Sequence, residues 1–170
     1  MKRLRLAYYL TIGLLAAGLL VIGACGSSGG GENPAQTQEF KLDVEELGEK
    51  LFQELSYRDQ LEELAPAVVY ALLGLDRDDV IEMKNYFSST ATAEEIVVLL
   101  AKDGEAVERL KRAFELRIED QKRLYASYAP EEVDYLNGAV LEVKGDYLVF
   151  CVAEDPAAAK QLVSEAIAER

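Results

Sequence analysis

The 170-residue chain contains no histidine. That absence excludes Ser-His-Asp and Cys-His catalysis, the usual zinc sites, and the one side chain whose unperturbed pKa switches near neutral pH. Cysteine is nearly absent: only Cys25 and Cys151 occur. If Cys25 is modified, Cys151 has no partner within the chain, so a disulfide framework is excluded and the core alone must hold the fold. Acidic residues are missing from the first 31 positions, where Lys2, Arg3 and Arg5 are the only charges. All 31 acidic residues follow Gly31, giving a net charge of −13. Removal of the first 24 residues makes the remainder more acidic still. Such a body is repelled by nucleic-acid backbones and anionic headgroups, so no nucleic-acid partner is expected.

The first 24 residues form three zones. The basic patch comes first, an uncharged and mostly apolar run follows from Leu6 to Val21, and the small residues Gly23 and Ala24 precede Cys25. This is the anatomy of a signal peptide, with its basic end held on the cytoplasmic side. Ile22-Gly23-Ala24-Cys25 resembles the lipobox of the bacterial lipoprotein pathway. Small residues let a peptidase reach the backbone between Ala24 and Cys25, and the thiol is the nucleophile that accepts a diacylglycerol. Each buried methylene contributes about 0.8 kcal/mol, so two or more acyl chains anchor stably. Two alternatives stand beside this reading. Leu6–Ala24 is close to the roughly 20 residues that span a bilayer, which allows an uncleaved anchor. Ordinary secretion with a coincidental cysteine is the other. All three place the body outside the cytoplasm.

Residues 26–38, Gly-Ser-Ser-Gly-Gly-Gly-Glu-Asn-Pro-Ala-Gln-Thr-Gln, have almost no apolar surface to bury. They read as a flexible tether with a typical reach of roughly 20 Å. The expected organisation is therefore a signal peptide over 1–24, lipidated cysteine and tether over 25–38, and one domain over 39–170.

Within that domain, Asp43 and Glu46 form a capping-box pattern ahead of Val44, Leu47, Leu51, Phe52 and Leu55 at helical spacing. Leu64 to Leu75 reads as a turn or short helix containing Pro66. Asp79 to Ser88 reads as a strand. Ile96-Val97-Val98-Leu99-Leu100 is an unbroken apolar run, expected to be a central strand buried on both faces or nearly so. From Asp103 to Tyr128 the stripe Val107, Leu110, Phe114, Ile118 and Tyr125 predicts the longest helix, stopped by Ala129-Pro130. Lys144-Gly145-Asp146 separates two strand runs as a hairpin. Asp155-Pro156 opens a final helix. The order α-α-β-β-α-β-β-α predicts an α+β domain with a mainly antiparallel four-stranded sheet and helices packed on one face.

The run from Gln121 to Tyr147, Gln-Lys-Arg-Leu-Tyr-Ala-Ser-Tyr-Ala-Pro-Glu-Glu-Val-Asp-Tyr-Leu-Asn-Gly-Ala-Val-Leu-Glu-Val-Lys-Gly-Asp-Tyr, resembles a family of small bacterial lipoproteins known only as domain of unknown function 4358. Glu94 to Gly104, Glu-Glu-Ile-Val-Val-Leu-Leu-Ala-Lys-Asp-Gly, is similar to it as well. The resemblance covers Leu42 to Arg170. It implies an α+β fold and a lipoprotein address, and it carries over no catalytic or binding residue.

Candidate chemistry is sparse. Asp76, Asp78, Asp79 and Glu82 lack both the alternate spacing and the internal glycine of a calcium loop, so no metal is expected there. Tyr125, Tyr128, Tyr135 and Tyr147 fall near one end of the long helix and the hairpin. They are the candidate binding surface, able to grip a peptide or sugar if they line a cleft. Cys151 lies in an apolar run and reads as an inert buried thiol. The expected function is an extracytoplasmic, membrane-anchored binding module without catalysis or cofactor. Its partners would be the membrane, through lipid on Cys25, and an unidentified envelope protein. The alternative is a cell-envelope hydrolase working on glycan or peptide with carboxylates alone.

Overall fold

The computed structural model describes residues 40–168. Helix α1 spans Val44–Glu54, strand β1 Leu61–Glu62, helix α2 Pro66–Leu73, and a single 3-10 turn Arg77–Asp79. Strands β2 (Val80–Ser88) and β3 (Glu95–Ala101) follow, then α3 (Gly104–Tyr125), α4 (Glu131–Asn137), β4 (Val140–Lys144), β5 (Tyr147–Val152) and α5 (Pro156–Ala168). The caps are those the sequence specifies. Asp43 accepts from the Glu46 N–H at 2.9 Å, Asp103 from Ala106 at 2.8 Å, and Asp155 from Ala157 at 2.9 Å, each satisfying a first-turn donor. Gly145 turns the β4–β5 hairpin at φ +57°, and Gly74 closes α2 at φ +63°, both in the left-handed region that glycine enters without strain.

The sheet has five strands in the order β1-β2-β3-β5-β4, and every pairing is antiparallel. This corrects the expected four. The extra strand is β1, whose two residues pair Leu61 with Ser88 and Glu62 with Phe87. Two residues are too few to display a period of two. The long helix stops at Tyr125 with Ala126 as its C-cap, short of the expected Tyr128, and Pro130 is instead the N-cap residue of α4, a helix the sequence pattern does not predict.

Helices cover both faces of the sheet, which corrects the one-sided expectation. Ile96 and Val98 on β3, with Tyr147, Val149 and Cys151 on β5, pack against α1 and α5. Val97, Leu99 and Ala101, with Leu148, Phe150 and Val152, pack beneath α2, α3 and α4. Both side-chain sets of the central strands are apolar, so leaving either face in water would expose a whole core layer at about 25 cal/mol per Å². Phe114 meets Phe150 with ring centroids 4.9 Å apart in the α3 layer. Phe52 stacks on Tyr86 at 4.3 Å in the α1 layer.

Candidate functional site

The polar groups of the domain concentrate where the loops before β1 and β3 meet α3 and α4. Glu94 precedes β3, and its side chain is fully shielded. It accepts the Arg58 N–H at 2.7 Å, the Asp59 N–H at 3.0 Å and the Thr92 hydroxyl at 3.1 Å. Arg58 forks onto Glu132 of α4 through two bonds of 2.8 Å, with its guanidinium 3.6 Å above the Tyr135 ring. Glu132 also accepts the Ala93 N–H at 2.8 Å. The hydrogen bonds from Arg58 and Ala93 hold the Glu132 carboxyl below its ordinary pKa despite burial, and Glu132 in turn raises Arg58. Asp59 accepts the hydroxyls of Ser88 and Thr90 and the Thr90 N–H, which lower its pKa to about 2.

Beside this node the first strand residue, Glu95, faces Arg117 of α3. Arg117 Nε lies 2.9 Å from both Glu95 oxygens, and Nη2 lies 2.6 Å from one. Burial pushes the Glu95 carboxyl up, and Arg117 offsets part of that shift. A cavity of about 190 Å³ opens against this pair, walled by Phe87, Ile118, Gln121, Leu136 and Phe150. An adjoining groove of about 440 Å³ runs between α2 and α3 along Leu73, Ala113, Leu116 and Leu124. Leu72, Arg117 and Gln121 line both. No buried side-chain nitrogen or oxygen among the described residues lacks a hydrogen-bond partner.

Two other charge clusters hold the fold rather than a cavity. Desolvation opposes the charge on Lys84 of β2, but hydrogen bonds to Glu45, Glu63 and Glu49 outweigh it and leave the ammonium above its ordinary pKa. Asp79 is bound by Arg109 at 2.7 and 2.8 Å and by Lys102 at 2.9 Å, holding its carboxyl well below the usual range. Asp76 accepts the Asp78 N–H at 2.9 Å as a turn cap. Among the described residues no cluster of three acid, cysteine or histidine side chains is arranged to hold a metal ion.

The four tyrosines do not form one surface. Tyr147 is buried on the α1 and α5 side and meets Phe40 edge-on at 5.6 Å. Tyr125 is buried on the opposite side, 5.3 Å from the exposed Tyr128, and Tyr135 lies under Arg58. Of these only Tyr125 lines the inner cavity. Cys151 is buried, and desolvation raises its thiol to about 12. Ala24 and Cys25 lie outside the described residues. The residues that sequence reasoning missed are Arg58, Glu94, Glu95, Arg117 and Glu132. Apart from Thr92 beside Glu94, their side-chain partners lie 22 to 74 positions away in the chain, so no local spacing could join them.

No described helix is long and apolar enough to cross a membrane. A family described as "Domain of unknown function (DUF4358)" matches residues 53–153, within the Leu42–Arg170 span of the sequence resemblance. No curated protein and no solved structure matches.

Proposed function

The chain belongs to the DUF4358 family, and from that premise we propose that it is a lipid-anchored, extracytoplasmic binding module of the cell envelope with no chemistry of its own. The address rests on the basic patch, the apolar run and Ile22-Gly23-Ala24-Cys25. Lipid on Cys25 would hold the membrane, and residues 26–38 would tether the acidic domain beyond the headgroups.

The observation that carries the non-catalytic reading is the state of the carboxylates at the cavity. Glu94 is committed to two backbone N–H groups, and Glu95 to Arg117. General acid–base work needs an acid and a base each free to reach a substrate proton. A carboxylate hydrolase would also need two acids converging on one substrate bond.

Two measurements test the proposal. Cys25→Ser should release the chain from the membrane fraction and abolish incorporation of a labelled fatty acid; unaltered attachment and mass would overturn the address. Crosslinking in intact cells should join the wild-type chain to a defined envelope partner. Recovery of the bait alone would overturn the binding role.

A further inference from the structure

The apolar content of α2 is out of keeping with its position. Leu64 to Leu75 carries no charge, yet of the helix itself only Val69 is buried, while Val68 and Leu72 are about half exposed. Across the groove, Leu116 and Leu124 of α3 are 65% and 54% exposed. Exposed Leu72, Leu116 and Leu124 lining one groove on a strongly acidic domain mark an interaction surface.

Arg117 uses Nε and Nη2 on Glu95, leaving Nη1 without an acceptor among the described residues. Since no buried nitrogen is unpartnered, Nη1 is open to solvent where Arg117 lines the two cavities. The Gln121 side chain, one helical turn further on, makes no hydrogen bond to another described residue, and Gln121 lines both cavities with Arg117. A guanidinium N–H and a primary amide together offer donors and one acceptor. That set is the complement of a peptide unit, whose carbonyl accepts and whose N–H donates.

We propose that the cavity and groove between α2 and α3 bind an extended peptide segment free of acidic residues, with one apolar side chain in the inner cavity and a backbone amide on Arg117 and Gln121. The inner cavity is large enough for one such side chain: a cavity of about 150 Å³ holds a benzene ring, and this one measures about 190 Å³. Phe87, Ile118, Leu136 and Phe150 give it an apolar wall for one aliphatic group, beside Ser88, Thr90 and Thr92. Leu72, Leu116 and Leu124 supply the apolar walls of the outer groove for the next side chain on that face. Acidic residues are disfavoured by the net charge of −13. A sugar is disfavoured because the aromatic side chains of the inner cavity, Phe87, Tyr125 and Phe150, are buried and offer no open face for stacking. A second copy of the chain would bring the same negative charge against itself.

This inference rests on the binding-module reading and is tested independently of the lipid. The full-length chain in nonionic micelles would be titrated with dye-labelled acetyl-Lys-Ala-Leu-Ala-Lys-amide, followed by fluorescence anisotropy against empty micelles. Competition would use unlabelled acetyl-Glu-Ala-Leu-Ala-Glu-amide and N-acetylglucosamine. Saturable binding is expected, with displacement by neither competitor. Leu72→Glu should weaken it at least about tenfold and Gln121→Ala about fivefold. Both positions are at the surface, and thermal melts of the variants should match the parent. Leu72→Glu adds negative charge, so nonspecific attraction of a cationic peptide would instead strengthen. The proposal is overturned by no saturable binding up to about 1 mM, by unaltered affinity in Gln121→Ala, by displacement with N-acetylglucosamine, or by a dimer that Leu72→Glu converts to monomer. Failure here alongside a specific crosslinked partner would leave the binding-module reading intact and move the interface elsewhere.

Discussion

Replacing Glu94 tests whether the buried polar node holds the loops around β3 in place. Its Oε1 accepts the Arg58 N–H at 2.7 Å, and Oε2 accepts the Asp59 N–H at 3.0 Å with the Thr92 hydroxyl at 3.1 Å. Both oxygens therefore act as acceptors, and the side chain has no exposed surface. Hydrogen bonds to a charged group contribute about 1.5–3 kcal/mol each. Glu94→Gln keeps the shape but turns one acceptor into an NH2 that faces a donor. It should cost about 2–4 kcal/mol. Glu94→Ala removes both acceptors and orphans two backbone N–H groups, at about 3–6 kcal/mol. For a domain of this size that corresponds to a fall in Tm of roughly 10–20 °C. Thermal and denaturant unfolding of the full-length chain, followed by circular dichroism, reads the effect. Glu119→Ala, which removes only an exposed pairing with Lys122, serves as control and should stay within about 0.5 kcal/mol of the parent. If Glu94→Gln unfolds within that same margin, the node is not structural and the reasoning fails.

Three further outcomes are expected. Arg117→Met should cost about 3–5 kcal/mol by stranding the buried Glu95 charge, whereas Arg117→Met with Glu95→Leu should recover most of it; a double variant as unstable as the single one would refute the desolvation argument. Asp59 has a folded pKa of about 2, below its unfolded value near 3.9, so its contribution is complete above about pH 4 and is lost as pH falls through 2. Asp59→Asn should flatten the pH dependence of Tm in that window, and an unchanged slope would count against it. Gly48→Ala should destabilise by about 1–3 kcal/mol despite alanine's helix preference, because the new Cβ would fall on the Lys84 Cγ and 2.8 Å from its Cβ, on a side chain held by three carboxylates. A rise in the denaturant midpoint would show that Lys84 moves aside freely.

Local chemistry made much of this fold readable. Asp43, Asp103 and Asp155 each supply the cap that their sequence context demands, and Gly145 sits at the one hairpin position that needs a positive φ. Such signals depend on residues within a few positions of one another. The unbroken run Ile96–Leu100 also implied cover on both faces, and the one-sided arrangement inferred from the order of elements was in conflict with it. The short elements were not legible. β1 forms because β2 offers a free edge, and α4 is only seven residues with few apolar positions.

By itself, then, the sequence determined the caps, the hairpin, the long amphipathic helix, the two-sided apolarity of the central strand and the family. Only the tertiary structure decided which acids are buried and what they bind. Arg58, Glu94 and Glu132, or Glu95 and Arg117, become partners through strand pairing and helix docking across tens of residues. The tyrosines show the converse: close in sequence, Tyr135 and Tyr147 finish on opposite sides of the sheet. Hydrogen-bond partners and cavities arise from distance in space, and a one-dimensional pattern records distance only within a single helix, strand or turn.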